Sequence, residues 1–346
     1  MGAGAEISTA ERLAPWLAAH VPGLVPPVRL CKFPGGQSNP TYRLDHGGAP
    51  LVLRMKPPGP LLPSAHQVER EYRVMAALAQ TSVRVPGMVA LCADDASPLG
   101  RAFFVMAHLD GRLFWDPALP ELAPADRAAL YTAMAETLAD LHSLDPAALG
   151  LADFGRPGGY FARQCNRWAR QYRASVASPD PKIERLIGWL ASHLPDDEGP
   201  PALVHGDYRL DNMIFAPDAL RVLGLLDWEL STLGPPLADI AYQCMQLRLP
   251  HDAGMRGLGG LDRAALGLPS EDDYLAAYCA RRGLSGLPHF TFGLVFAFFR
   301  LAAILQGVVH RAETGNASNP DTARAYGRAI PILADMALDL TGDPPT

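Results

Sequence analysis

The chain has 346 residues, which is long enough to bury a large core and to form two lobes or domains. Apolar residues make up 49% of it and charged residues 19%, a composition typical of a globular protein and unlike that of a disordered chain. The formal net charge of −6 argues against a general nucleic-acid binder and against a protein that binds anionic membranes. A local basic pocket for phosphate groups is still compatible with that charge.

The cysteines and the apolar stretches indicate where the protein resides. The five cysteines are scattered, with neither a C-x-x-C pair nor a spacing typical of zinc ligands, which predicts a reducing compartment and mostly buried thiols. The sequence does not start with a charged segment followed by an apolar one, so we predict no secretory signal and a cytoplasmic location. The most apolar stretch, residues 290–309, is interrupted by Arg300 and Gln306 and is predicted to be a core helix, not a membrane span.

Strands and turns alternate in the first third of the chain. A helix capped at Ser8–Thr9 and ending near Pro22 is predicted to form an appendage that packs on the next domain. Strands are predicted to follow at residues 28–33, 41–45 and 51–56.

The loop between the first two of these strands contains Gly35, Gly36 and Ser38. Glycines let a backbone approach a ligand closely, and the backbone N–H groups of such a loop can face phosphate oxygens. We therefore predict a phosphate-binding flap, although a plain hairpin with a bulged turn would give the same pattern.

A cation and a carboxylate are predicted to meet between the third strand and the next helix. Val52, Arg54 and Lys56 share one face of that strand. A helix capped by Ser64 places Glu71 on its apolar stripe, where a carboxylate is costly to bury unless it is paired. Arg54 or Lys56 is the expected partner, and a cation held in this way would position nucleotide phosphates. A purely structural ion pair is the alternative interpretation.

Strands predicted at residues 85–91 and 101–106 complete this region, and residues 107–111 then leave the sheet as a connector. The backbone of that connector is expected to pair with the adenine edge of a nucleotide. Met106 and His108 are assigned to the nucleotide site from this order along the chain, and Val52 from its place beside Arg54.

The stretch around Asn212 and Asp227 predicts a metal site. Two short apolar runs, Met213–Phe215 and Val222–Leu226, flank a turn-rich connector and predict a β-hairpin. Asn212 enters its first strand and Asp227 leaves its second, so antiparallel pairing brings the two residues within about 5 Å. An amide oxygen and a carboxylate at that separation suit Mg²⁺, which prefers oxygen ligands.

Asp207 precedes the hairpin, in a polar loop that follows the apolar residues 202–204. A carboxylate beside a metal–phosphate site can take the proton of an attacking hydroxyl, which predicts Asp207 as a general base. The alternative is that these polar residues are ordinary loop residues or helix caps. Asp239 is predicted to begin a helix, where its carboxylate could cap the N-terminus and hold the Asp207 loop.

The remainder of the chain, from Pro124 onward, is predominantly helical in pattern. Helices are predicted to start at Pro124 and to lie at residues 160–175, 182–194, 271–281, 291–311 and 320–340. His142 lies beside the apolar stripe of the first of these helices and is predicted to be a core histidine, not a catalytic one.

Together these motifs resemble the aminoglycoside phosphotransferase/choline kinase-like family of small-molecule kinases. The resemblance runs from about Leu30 to Tyr242. Four segments carry it, similar in turn to the nucleotide flap, the N-lobe helix, the catalytic loop and the metal-binding segment of the family: Gly35–Tyr42, Val68–Tyr72, His205–Asn212 and Asp227–Trp228.

The resemblance implies an α+β, two-lobed protein-kinase-like fold. Residues 1–25 would be a helical appendage, residues 26–107 a nucleotide-binding N-lobe with an antiparallel sheet and a helix, and residues 108–346 a mostly helical C-lobe that is catalytic and binds the acceptor. It implies ATP and Mg²⁺ as cofactors, Asp207 as the base, and Asn212 and Asp227 as metal ligands.

The implied function is transfer of the γ-phosphate of ATP to a hydroxyl of a small molecule, with no nucleic-acid or membrane partner. The competing interpretation is a pseudokinase that binds nucleotide and regulates without transferring phosphate. A flavin-dependent dehydrogenase is a third reading, which bound flavin would reveal.

A narrower similarity points to the kinase-like domain that eukaryotes carry fused to acyl-CoA dehydrogenases. Residues 36–42, 52–59 and 62–66 carry it, and it implies a hydroxy acid or a hydroxyacyl-CoA as the acceptor. One residue departs from the family, because Arg54 stands where Lys is usual. Arginine keeps the positive charge and can bind phosphate with two N–H groups, but it does not replace lysine in every respect.

Overall fold

The fold is described from a computed structural model, over residues 3–33, 39–59, 66–156, 158–252, 256–314 and 320–342. The strands, in chain order, are Arg29–Lys32 (β1), Thr41–Asp45 (β2), Leu51–Met55 (β3), Met88–Cys92 (β4), Phe103–Ala107 (β5), Ala202–Val204 (β6), Met213–Phe215 (β7), Val222–Leu225 (β8) and Thr232–Gly234 (β9). The helices are Ala3–His20 (α1), Val68–Leu78 (α2), Pro124–His142 (α3), Tyr160–Ala174 (α4), Pro181–Ser192 (α5), Leu237–Arg248 (α6), Glu271–Arg282 (α7), Phe290–Glu313 (α8) and Pro320–Thr341 (α9).

The chain divides into two compact units. The first contains Met1–Leu113, Leu149–Leu151 and Asn212–Ser231, and the second contains Phe114–Ala148, Ala152–Asp211 and Thr232–Thr346. The hairpin β7–β8 therefore groups with the N-terminal strands, although it follows them far along the chain. The predicted limits at residues 25 and 107 follow chain order and stay a prediction.

An antiparallel sheet with the order β1-β2-β3-β5-β4 forms the centre of the first unit. The alternation of β3 buries Leu53 and Met55 in a core that also receives Leu13 and Leu17 from α1. The N-terminal helix thus packs on the sheet. It begins at Ala3, so Ser8–Thr9 lies inside the helix and is not its cap, because the preceding Ala and Glu residues are themselves good helix formers.

Helix α2 carries the buried stripe that the sequence predicts. Val68, Glu71, Met75 and Leu78 recur at helical spacing and are all buried. The predicted cap at Ser64 lies outside the described residues. The residue before the helix, Gln67, makes no side-chain capping bond.

The hairpin of the first unit pairs β7 and β8 in antiparallel fashion, with Met213 opposite Leu225. The Leu226 N–H donates to the Asn212 carbonyl at 2.8 Å, so Asn212 lies opposite the residue before Asp227. The predicted hairpin and its pairing are therefore both present.

The second unit is mostly helical, with the short ladder β6–β9 leading into the loop that contains Asp207. Helix α8 is long and apolar enough to cross a membrane by those two criteria, yet 78% of its most apolar stretch is buried within the protein. Helix α6 begins at Leu237, two residues earlier than predicted, because Pro236 supplies the turn that starts it. Asp239 therefore lies in the first turn of α6 and not at its start.

Candidate active site

Arg54 and Glu71 form a buried ion pair in the first unit. The Arg54 Nε lies 2.8 Å from the Glu71 Oε2, and the Glu71 side chain is only 1% exposed. Lys56, the other predicted partner of Glu71, instead lies 2.7 Å from both the Glu69 Oε1 and the Asp94 Oδ2. Of the two predicted partners, Arg54 therefore pairs with Glu71. Lys56 pairs with carboxylates nearer the surface.

Asp227 joins this pair from the end of β8. Its Oδ1 accepts a hydrogen bond from the Arg54 Nη2 at 2.7 Å. The backbone of Asp227 has φ 63° and ψ 63°, a left-handed conformation that is unfavourable for a residue with a side chain. Such conformations persist where the surroundings hold them, and they cluster at functional sites.

Two further residues, Asn39 and Glu229, complete the cluster. The Asn39 Nδ2 donates to the Glu71 Oε1 at 2.8 Å and to the Glu229 Oε2 at 3.4 Å, while its Oδ1 lies 3.0 Å from the His66 Nδ1. Glu229 also lies 4.0 Å from the Arg54 Nη2. From the sequence, neither residue is assigned a role in the site, although Glu229 stands in a D-x-E pattern with Asp227.

The cluster has the donor set of a divalent-cation site. Oxygen atoms of Glu71, Asp227 and Glu229 lie within 4.8 Å of one another. One guanidinium faces these three carboxylates, so the cluster has an excess of negative charge that a hard cation would neutralise. Asp227, a predicted metal ligand, fits such an ion. Asn212 is buried beside it through the hairpin pairing.

Burial and charge shift the pKa values of the central pair. Burial, together with the charges of Asp227 and Glu229, raises the pKa of Glu71 to about 7, although the Arg54 charge opposes this shift. Burial lowers the pKa of Arg54, but Glu71, Asp227 and Glu229 outweigh that effect and raise its pKa overall. Arg54 therefore remains a cation at neutral pH.

Two of the other predicted nucleotide residues, Val52 and Met106, lie on the same sheet as Arg54. Val52 on β3 is paired directly opposite Met106 on β5, and both are buried. His108 follows β5, and its ring is stacked on that of Phe33 with the centroids 6.4 Å apart. Gly35, Gly36 and Ser38 lie outside the described residues, so the predicted phosphate flap stays a prediction.

Asp207 lies in the second unit, in the loop after β6. Its Oδ1 accepts a hydrogen bond from the Tyr242 hydroxyl at 2.9 Å, and its Oδ2 lies 3.4 Å from the Arg209 Nε. Burial, reinforced by the Asp207 charge, raises the pKa of Tyr242, so the phenol keeps its proton and remains the donor. Tyr242 is a functional candidate that sequence reasoning missed, because it comes from a helix beyond the motif.

Asp239 holds the Asp207 loop through its backbone. Its Oδ2 accepts from the His205 N–H at 2.6 Å and its Oδ1 from the Gly206 N–H at 2.8 Å. Holding the loop is the role that the sequence predicted. The other predicted role is wrong, because helix α6 has no side-chain cap and the Asp239 carboxylate is directed to the loop.

His142 supports Asp239 from α3. Its Nε2 lies 3.3 Å from the Asp239 Oδ2 and its Nδ1 lies 2.8 Å from the Tyr278 hydroxyl. Burial lowers the pKa of His142 despite the nearby Asp239 charge. This shift favours the neutral imidazole. A hydrogen bond from the neutral ring to the Asp239 carboxylate requires the proton on Nε2, because a carboxylate only accepts. For Asp239, burial raises the pKa, but the bonds from His142 and the loop backbone outweigh it and lower the pKa overall.

Comparison with known protein families gives a match over most of the chain. A family model described as the phosphotransferase enzyme family matches residues 29–278. Acyl-CoA dehydrogenase family member 10 of Mus musculus is 46% identical over 324 residues, which is 93% of this chain and 30% of that protein. Acyl-CoA dehydrogenase family member 11 of Homo sapiens is 40% identical over 315 residues, 91% of this chain and 40% of that protein. The chain spans between 30% and 43% of the length of the curated relatives it matches.

Solved structures show the same fold. A protein from Ralstonia eutropha, provisionally named an aminoglycoside phosphotransferase, has 43% identity and a TM-score of 0.85, over 96% of this chain and 97% of that one. Spectinomycin phosphotransferase, solved with ADP and spectinomycin, has a TM-score of 0.63 at 11% identity, over 96% of this chain and 98% of that one. These matches confirm the predicted α+β, two-lobed kinase-like fold.

Proposed function

The chain belongs to the phosphotransferase enzyme family, and we propose that it transfers the γ-phosphate of ATP to a hydroxyl group of a small molecule. One observation carries this proposal most directly. Arg54, Glu71, Asp227 and Glu229 form a single charged cluster. In it, the guanidinium proposed to bind phosphate lies within 4.0 Å of three carboxylates, among them the proposed metal ligand Asp227.

In this proposal, each predicted residue has one role. Arg54, held by Glu71, binds the α- and β-phosphates. Asp227 and Asn212 hold Mg²⁺, and Glu229 lies in the same cluster as Asp227. When bound, Mg²⁺ neutralises charge on the β- and γ-phosphates. Asp207 accepts the proton of the acceptor hydroxyl, and Tyr242 fixes the orientation of its carboxylate.

The nucleotide itself is held by the remaining residues of the first unit. Val52 and Met106 form an apolar contact for the adenine ring, and the backbone near His108 pairs with its polar edge. The backbone around Gly35, Gly36 and Ser38 covers the phosphates. This part of the proposal is supported by the opposed positions of Val52 and Met106 on adjacent strands.

The acceptor is proposed to be a hydroxy acid or a hydroxyacyl-CoA. The support comes from relatives whose names refer to acyl-CoA, of which this chain matches less than half. A cytoplasmic location and independence from nucleic acids and membranes belong to the same proposal. They are supported by the scattered cysteines and by the net charge of −6.

The test is Mg²⁺-dependent turnover of ATP over a panel of hydroxylated acids and hydroxyacyl-CoA thioesters. We expect the unaltered protein to phosphorylate an acceptor and Asp207→Asn to lose this activity. Nucleotide binding, measured as a thermal shift with ATP, should be preserved in the variant. Asp218→Asn, an exposed carboxylate in the β7–β8 connector, is the matched control and should keep full turnover. Equal turnover in Asp207→Asn would exclude Asp207 as the base. Nucleotide binding without transfer to any acceptor would favour the regulatory alternative.

A further inference from the structure

Gly206, the residue before Asp207, is held at both of its backbone polar groups. Its N–H donates to the Asp239 Oδ1 at 2.8 Å, and its carbonyl accepts from the Arg300 Nη2 at 2.6 Å. Its φ is +84°, a conformation that residues with side chains rarely adopt. Asp239 and Arg300 are both buried, at 0% and 6% exposure. A buried anion therefore holds the N–H of Gly206, and a buried cation holds its carbonyl.

Arg300 also touches the residue that orients the Asp207 side chain. Its guanidinium lies 5.3 Å from the centre of the Tyr242 ring and 5.8 Å from the centre of the Trp168 ring. The Tyr242 hydroxyl in turn donates to the Asp207 Oδ1. The contacts of Arg300 thus lead to Asp207 along two paths, one through the backbone of Gly206 and one through the ring of Tyr242.

The cost of burying Arg300 suggests that these contacts serve a purpose beyond packing. Arg300 lies in the middle of α8, the most apolar helix of the chain. A buried cation is unfavourable unless it is compensated. In the part of the chain that the structure describes, its compensation comes from the Gly206 carbonyl and two aromatic faces, with no carboxylate in ion-pair contact.

We propose that Arg300 is a positioning residue for phosphoryl transfer, which sets both the backbone and the side chain of Asp207. The inference rests on the proposed role of Asp207 as the base. Arginine suits this task because its flat guanidinium can stack on rings while it donates in its own plane. A lysine could donate to the Gly206 carbonyl but could not stack on Tyr242 and Trp168 in the same way.

Arg127 provides a matched control within the second unit. It is also buried, at 9% exposure, and it also donates to backbone carbonyls, those of Leu119, Leu122 and Leu266. None of these carbonyls belongs to the Asp207 loop. Arg300→Met and Arg127→Met therefore both remove a buried, carbonyl-bound arginine, but only the first removes a contact to that loop.

The experiment combines hydrogen exchange of the peptide spanning residues 203–211 with release of ADP from Mg·ATP. In Arg300→Met we expect exchange of the loop amides to rise about tenfold or more, since they open more easily. We expect kcat to fall by roughly 10- to 100-fold with the KM for ATP nearly unchanged, as for a misplaced catalytic group. Arg127→Met should change neither quantity, and Arg300→Lys should restore loop protection in part.

The outcomes separate this inference from the proposed function. Equal loop exchange and equal kcat in Arg300→Met and Arg127→Met would overturn the positioning role. If Arg300→Met does not fold, Arg300→Lys is compared with Arg127→Lys, and equal loop exchange in that pair overturns the role as well. If the unaltered protein releases no ADP and phosphorylates no acceptor, the proposed function fails. Loop exchange then still decides whether Arg300 holds the loop.

Discussion

The Arg54 Nη2 and the Asp227 Oδ1 lie 2.7 Å apart, so the cation proposed to bind phosphate is paired with the carboxylate proposed to bind metal. Each residue neutralises the charge of the other as long as neither Mg²⁺ nor phosphate is bound. Mg²⁺ on Asp227 and phosphate on Arg54 would replace one ion pair by two. Metal and nucleotide binding should therefore be strongly coupled.

Asp227→Ala tests this coupling. We expect it to abolish the Mg²⁺-dependent part of nucleotide binding while leaving metal-independent binding of ATP equal to or stronger than before, because Arg54 is released. The measurement is the thermal shift with ATP in the presence of Mg²⁺ or of EDTA. Asp218→Ala is the control, and a Mg²⁺-dependent shift retained in Asp227→Ala would contradict the metal role.

Arg54→Met should destabilise the fold because it leaves the buried Glu71 carboxylate without its cation. Breaking a buried ion pair by removing one partner costs about 3–5 kcal/mol. The double variant Arg54→Met/Glu71→Leu should recover much of that loss. The free energy of unfolding from urea denaturation measures both changes.

The exposed pair Arg43–Asp45, with side chains 44% and 38% exposed, serves as the comparison for Arg54→Met. Arg43→Met should cost far less, because solvent screens an exposed ion pair. Similar losses in the two single variants would show that burial of Glu71 does not control the energetics.

Tyr242→Phe should slow transfer without unfolding the protein. The variant keeps the aromatic ring beside Arg300 but loses the hydroxyl that donates to the Asp207 Oδ1 at 2.9 Å. We expect kcat to fall by roughly tenfold, within the range for a catalytic group whose orientation is loosened. Steady-state kinetics and the melting temperature are measured together. A full kcat with a normal melting temperature would remove Tyr242 from the site.

His142 should make the protein less stable in mild acid. Burial lowers the pKa of His142, so the unfolded chain binds more protons than the folded one below about pH 6.5, the ordinary histidine value. The stability that this group contributes is therefore complete above that pH and declines as the pH falls, by at most about 1.4 kcal/mol per pH unit. Asp239, whose pKa is also lowered, adds a further loss only at more acidic pH.

His142→Gln isolates this effect, since an amide can bond to Asp239 and Tyr278 without taking up a proton. Urea denaturation is measured between pH 5 and pH 8. The free energy of unfolding should depend less on pH for His142→Gln than for the unaltered protein. Parallel curves would show that His142 does not titrate in this range.

Much of the site could be predicted from local pattern. The hairpin that places Asn212 beside the Asp227 segment follows from two apolar runs around a turn, and the inward position of Glu71 follows from helical periodicity. Each of these predictions depends on residues within a few positions of one another. They can be made because the periodicity of helices and strands depends on the local order of residue types.

The tertiary structure decided which distant groups meet. It paired Glu71 with Arg54 in preference to Lys56, and it added Asn39 and Glu229 to their cluster. Tyr242 and Arg300 reach the Asp207 loop from helices far along the chain. Such encounters depend on how helices and strands pack, and no spacing within the motif records them. The sequence by itself determined which chemical groups the motif carries, while packing determined the residues that hold those groups in place.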